Sequence, residues 1–263
     1  VLVRDASSLD NIAGIDCEVV TGDLTDSQSL SRAVKGCDVV FHVAADYRLW
    51  VSDPSVMYRA NVDGTRNLLR AAAKAGAGRI VYTSSVAASG YEADGAPGNE
   101  ETAATIADMI GHYKRSKFLA EAEAMRLAAE EGDPVVTVNP AAPFGPRDIK
   151  PTPTGRIVVE SGRGRMPAYL DTGLHVVHVD DVAAGHLLAW RKGEIGERYI
   201  LGGDNMALRD ILEIIAGHLG RPAPRIRLPR LPLFPIAWGA ELACRVFGGD
   251  PMVTTEALRM AKK

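Results

Sequence analysis

The chain has 263 residues, 46% of them hydrophobic and 24% charged, with a formal net charge of −3. These are ordinary globular proportions, ample for a sizeable core, and they exclude the basic footprint of a nucleic-acid-binding protein. Three cysteines, Cys17, Cys37 and Cys244, are odd in number and far apart, which argues against a disulfide framework and for reduced thiols in a cytoplasmic protein; no run reaches the roughly 18 apolar residues of a membrane span.

Strand and helix patterns alternate along the first half. Residues 1–4 read as the end of a strand, 17–20 as a short strand, 27–35 as a short helix and 38–45 as an apolar strand. A long helix is expected over 56–75, ended by Gly76 and Gly78. A strand over 79–84, a helix from about 108 to 131 and a strand over 135–139 follow. Short Val-rich runs suit strands buried on both faces. Separated by helices, they imply βαβ units and an α/β, Rossmann-type, doubly wound parallel sheet, so a ligand is expected at the carboxyl ends of the strands.

Past Asn139 proline and glycine become dense and the chain reads as loop. A strand over 176–179, a helix over 181–192, a strand at Arg198–Leu201 and a helix over 207–219 follow. The expected division is a nucleotide-binding domain over 1–145 and, over 146–263, mainly a small substrate lobe with segments returning to the sheet.

The strongest chemical signal is Tyr113-Lys114-Arg115-Ser116-Lys117 on a helix. Residues four apart share a helical face, which sets Lys117 beside Tyr113. A free phenol titrates near pH 10, and a neighbouring ammonium is expected to lower that value and make it a usable acid or base. Upstream, Thr83-Ser84-Ser85 ends a strand. Ser85 is the expected partner for the same substrate oxygen, with Ser84 structural. The bland alternatives are a surface Tyr–Lys pair and a polar strand end capping a turn; the strand–helix placement weighs against both.

With these stand Gly22-Asp23-Leu24, His42-Val43-Ala44-Ala45, Asn61-Val62-Asp63-Gly64-Thr65, Asn139-Pro140 and His178-Val179-Asp180-Asp181-Val182. In this order the set resembles the extended short-chain dehydrogenases over nearly the whole chain. Residues 45–50, 111–117 and 150–155 are similar to the hopanoid-associated sugar epimerases, themselves close to dihydroflavonol reductases.

The resemblance implies an NAD(P)-dependent oxidoreductase or epimerase acting at a carbinol or ketone carbon, with Ser85, Tyr113 and Lys117 catalytic. Asp23 would meet the adenine amino group and Leu24 pack on its ring. Ala44 and Ala45 would let backbone approach phosphate and ribose. Lys117 would hold the nicotinamide ribose, Asn139 and Pro140 would flank the nicotinamide, and Thr83 joins this set. Arg4 resembles an arginine that meets a 2′-phosphate, which favours NADP over NAD; an exposed arginine with NAD as cofactor is the alternative. Relatives often dimerise through the helices matching 56–75 and 108–131.

There are departures. The glycine-rich fingerprint is absent, and the expectation is that the first βα unit lies outside this chain. Leu174 and His175 stand where sugar-nucleotide epimerases carry an Arg-Asp pair, and Ala88-Ser89-Gly90 replaces their Val-Tyr-Gly, which leaves room for a less charged substrate and a reductase role. Tyr47, Trp50 and Tyr169 are candidate substrate contacts; packing under their loop is an equal reading for the first two. No metal is expected: strand alternation sets His175 and His178 on opposite faces, and Asp180 or Asp181 reads as a helix N-cap. The apolar stretch 231–247 reads as a docking helix.

Overall fold

The computed structural model describes residues 1–92, 96–249, 251 and 253–261. The parallel strands of its first half form two sheets, the larger one completed by a strand from the second half. Strand β1 (Leu2–Val3) pairs with β2 (Val20–Thr21). The larger sheet runs β3 (Val39–His42), β4 (Arg79–Thr83), β5 (Val135–Pro140) and β9 (Arg198–Leu201). The free edge of β3 faces outward, with Phe41 and Val43 exposed.

Alternation along the strands sends successive side chains to opposite faces. Ile80, Tyr82 and Val135 enter a core with Leu30, Leu68, Leu69, Ala120, Ala124 and Leu127. That core lies under α1 (Ser27–Ala33), α3 (Gly64–Lys74) and α4 (Gly111–Arg126). Leu2 and Leu24 pack against the same core and so join the small sheet to the large one. Val81, Val136 and Val138 face the other way, onto Ala189 and Trp190 of α6 (Val179–Lys192). Helices thus cover both faces, the doubly wound arrangement expected from the Val-rich runs.

The long helix expected over 56–75 is divided. Helix α2 (Pro54–Tyr58), capped by Asp53, passes into a π-turn at Arg59–Asp63 and then into α3. Gly64 stands where a Cβ would meet Leu24 at 2.7 Å, so only glycine lets α3 approach the loop after β2. Helix α4 likewise ends in a π-turn at Leu127–Glu131, closed by Gly132 in the left-handed region.

The stretch read as loop after Asn139 holds two elements that proline density concealed. These are β6 (Ala142–Phe144) and α5 (Pro153–Gly162), with Pro153 in its first turn and Thr152 as its cap. Strand β6 pairs with β8 (Gly173–His178), which also pairs with β10 (Asp204–Ala207). A further pair joins β7 (Ala168–Leu170) to β11 (Ile226–Leu228). Helices α7 (Leu208–His218), α8 (Leu233–Phe247) and α9 (Thr255–Met260) complete this part. No helix among the described residues is long and apolar enough to cross a membrane.

Candidate active site

The carboxyl ends of β3, β4 and β5 and one face of α4 carry the candidate residues. Tyr113 lies in the first turn of α4, and Lys117 follows on the same face. Ser85, just past β4, stands beside the Tyr113 phenol, close enough to pull its pKa down, and its hydroxyl accepts from the backbone N–H of Ala87 at 3.1 Å. The structure therefore brings Ser85, Tyr113 and Lys117 together.

The electrostatics differ from expectation in one respect. Burial raises the Tyr113 phenol above its ordinary value, and the Ser85 hydroxyl pulls against that shift. Lys117 does not lower it here, because the ammonium is aimed at the strand. Its Nζ donates to the Thr83 carbonyl at 2.7 Å and lies 4.9 Å from the centre of the Tyr82 ring. Burial pushes Lys117 down to about 8, opposed by the Glu121 carboxylate one turn further on.

Beneath these groups the polar side chains interlock. Asn139 is fully buried; its Nδ2 donates to the Ser85 carbonyl at 3.1 Å and to Glu121 Oε2 at 2.7 Å. Glu121 Oε1 accepts from Arg198 at 3.0 Å. Asn139 thus fixes the backbone that presents Ser85, while its Oδ1 is buried without a partner. Pro140 is buried beside it.

Asn61 makes the second clasp. Its Oδ1 accepts from the Asp46 N–H at 2.7 Å, and its Nδ2 donates to the Asp46 carbonyl at 2.8 Å and to Ser116 Oγ at 2.9 Å. Ser116 in turn donates to the Tyr113 carbonyl at 2.8 Å. One asparagine therefore ties the loop after β3, which carries Ala44, Ala45 and Tyr47, to the turn that carries Tyr113. Sequence reasoning noted Asn61 only as part of a motif. The π-turn that aims it leaves no pattern in residue type.

Thr83 divides its roles. Its carbonyl faces Lys117, but its hydroxyl turns to the opposite face of the sheet and meets His186 Nε2 at 2.8 Å. His186 Nδ1 lies 2.7 Å from the Val182 carbonyl and must donate there, which leaves Nε2 to accept from Thr83. Strand alternation places the side chain there, so only the Thr83 backbone reaches the site.

At the far end of the same edge, Asp23 Oδ1 accepts from the Thr25 N–H and hydroxyl at 2.9 and 2.7 Å. These bonds hold the Asp23 carboxyl below its ordinary value, with help from nearby Arg4. Arg4 is exposed and also acts on Asp46, so β1, β2 and β3 deliver their carboxyl ends to one neighbourhood. Leu24 lies between Gly64 and the core.

Tyr47 is exposed, and Trp50 is half-buried in the loop after β3. Tyr169 sits half-buried on β7 in the C-terminal part, and no hydrogen bond joins it to Ser85, Tyr113 or Lys117 among the described residues. The helix cap assigned to Asp180 or Asp181 is instead His178, whose Nδ1 accepts from the Asp180 N–H at 3.2 Å.

Residues 1–202 match the family described as the NAD dependent epimerase/dehydratase family. The chain belongs to that family. It is 46% identical over 264 residues to a putative dihydroflavonol 4-reductase of Synechocystis sp., covering 99% of this chain and 76% of the relative. It is 35% identical to sterol demethylase protein B of Methylococcus capsulatus, covering 86% of this chain and 69% of that protein. Among solved structures, gox2253 superposes with a TM-score of 0.86 at 50% identity, covering all of this chain and 79% of that one. The chain is accordingly an NAD(P)-dependent enzyme of the extended short-chain dehydrogenase type.

The residues present fit the two ends of such a dinucleotide. Arg4, Asp23 and Leu24 suit the adenosine end. Ser85, Tyr113, Lys117 and the orphaned Oδ1 of Asn139 suit the nicotinamide end. Ala44 and Ala45 follow β3 with little side chain to obstruct backbone approach. Among the described residues no glycine-rich strand-to-helix turn stands between β1 and β3 to cradle the pyrophosphate.

Proposed function

We propose that the protein is an NADPH-dependent carbonyl reductase acting on a weakly charged ketone, with Ser85, Tyr113 and Lys117 as its catalytic residues. The observation that carries this reading is the Ser85–Tyr113 hydroxyl pair at the carboxyl end of β4, with Lys117 one turn along the same helix face. A bound nicotinamide supplies the hydride; the protein's task is the oxygen. Ser85 donates a hydrogen bond to the carbonyl oxygen and polarises it. Tyr113 gives that oxygen its proton as charge develops. Burial keeps the Tyr113 phenol protonated at neutral pH, the form a reduction consumes. Lys117, cationic below about pH 8, reaches a ribose hydroxyl of the cofactor.

Arg4, exposed and close to Asp23, is the proposed 2′-phosphate contact. Asp23 and Leu24 hold the adenine, Ala44 and Ala45 admit the phosphates, and Asn139 and Pro140 close the floor. Leu174 and His175 offer no arginine to a substrate diphosphate, in keeping with a less charged ligand held by Tyr47 and Trp50. Names of the relatives run the same way: a dihydroflavonol reductase is a ketone reductase.

The test is calorimetric titration of the full-length protein with NADPH and NADH in parallel, followed by turnover with a dihydroflavonol. Preference for NADPH, with NADPH consumed, supports the proposal. Preference for NADH, or cofactor retained through purification and unchanged by ketone, overturns it in favour of epimerisation, in which hydride leaves and returns.

A further inference from the structure

The first turn of an α-helix leaves its backbone N–H groups without partners inside the helix, and a side chain at the N-cap usually accepts from one of them. Helix α4 has no such cap. Its N-cap is Ile110, which has nothing to offer, and its first turn contains no acidic residue. A carboxylate comes from elsewhere: Glu256, on α9, sets its carboxyl oxygens against Gly111, the first residue of α4 and two before Tyr113.

Two further features are built around this contact. Gly111 has φ +84°, and a Cβ there would overlap the Glu256 carboxylate, so the turn is shaped to admit it. The His112 side chain stands close by, its Nδ1 3.2 Å from the Tyr58 hydroxyl, with the two rings edge to face. Helix α9 is itself anchored. Leu258 is fully buried, Thr254 caps the helix through the Ala257 N–H, and the Thr255 N–H and hydroxyl donate to Glu241 of α8. A chain of contacts therefore runs from α8 through Thr255 and Glu256 to the turn holding Tyr113.

We infer that Glu256 is a positioning residue: from the C-terminal lobe it caps the helix that carries Tyr113 and so holds the phenol against Ser85. The inference rests on Tyr113 being the proton donor proposed above. Negative charge at this end is also favoured by the helix dipole. Docking of the C-terminal lobe is then a condition for a competent Tyr113, not only a wall for the substrate.

The test combines three readouts on Glu256→Ala, Glu256→Gln and Gly111→Ala, each checked by thermal melting for folding. Amide hydrogen exchange at residues 111–114 needs no substrate; Glu256→Ala and Gly111→Ala are expected to speed it roughly fivefold to tenfold. The phenol of Tyr113, read as the ultraviolet titration difference between each protein and its Tyr113→Phe counterpart, is expected to move to higher pH as the Ser85 contact loosens. Turnover with NADPH and a dihydroflavonol is expected to fall in kcat by about tenfold, with KM for NADPH unchanged. Glu256→Gln, which keeps an acceptor, should restore most of all three. Unchanged exchange in both Glu256→Ala and Gly111→Ala overturns the cap. Faster exchange with an unmoved phenol titration overturns the positioning role. Failure of the unaltered protein to reduce ketones strikes the reductase reading alone, since exchange and titration still decide the inference.

Discussion

The floor under Tyr113 and the helix α8 are opposite kinds of surface. Under Tyr113 two asparagines are tied down: Asn61 uses both ends of its amide, and the Asn139 Nδ2 ties Ser85 to Glu121, although Asn139 Oδ1 and the Tyr82 and Ser84 hydroxyls are buried without partners. On α8 only Ala237 is buried, while Ile236, Trp238 and Val246 stand out and Phe247 is 86% exposed. A buried polar group without its partner costs far more than an exposed apolar group costs by staying in water. Geometry is therefore enforced residue by residue in the first region and hardly at all in the second.

Substitutions sharpen that contrast. The largest effect is expected at Tyr113→Phe. Losing the transferable proton should reduce kcat by about a thousandfold while NADPH affinity by calorimetry stays the same; lost binding would make Tyr113 structural. Asn61→Ala should come next, at roughly 3 kcal/mol of stability in urea unfolding, because the Asp46 backbone groups and Ser116 lose partners at once. A change below about 1 kcal/mol would show that water replaces the clasp.

His42 supplies a pH test. It is fully buried and pushed down to about 3, chiefly by burial and then by Lys117. A histidine whose folded value is depressed costs stability as pH falls from the unfolded value near 6.5 toward 3, because the unfolded chain takes up the proton first. Over that window the slope of stability against pH should exceed that of His42→Gln by up to about 1.4 kcal/mol per pH unit. Equal slopes in paired chemical-denaturation series would mean that His42 protonates in the fold.

Arg4→Ala is expected to weaken NADPH roughly tenfold and leave NADH unaltered; equal losses would remove Arg4 from the phosphate. Smallest of all, Trp238→Gln on α8 should move the unfolding free energy by no more than about 0.5 kcal/mol. A loss above 2 kcal/mol would erase the comparison between the two regions.

Much of this was legible from residue order. Val-rich runs spaced by helices gave the parallel sheet, and a Tyr four residues before a Lys, downstream of Ser85, marked three residues that the structure places near one another and that are proposed as catalytic. What escaped has physical reasons. Thr83 could not be assigned a face until the register of β4 was known, and its hydroxyl proved to belong to His186. The effect of Lys117 on Tyr113 followed from spacing alone, whereas burial and the aim of the ammonium at Thr83 decide the charge. Proline density hid β6 and α5, since Pro153 starts its helix rather than breaking one. Glu256 left no trace near Tyr113 because the contact joins Gly111 and Glu256, 145 positions apart in the chain.

The π-turn at Arg59–Asp63 has a further consequence. Such a turn is an α-helix carrying one surplus residue. Deleting that residue would let α2 and α3 run on as a single regular helix, better made by every local standard. Each residue beyond would then rotate by about 100° relative to those before. Asn61 would swing off Asp46 and Ser116, or else Leu68 and Leu69 would leave the core. The irregularity is thus a gear between two mountings, one for the core and one for the loop at the active site, and a smoother helix would serve only one of them.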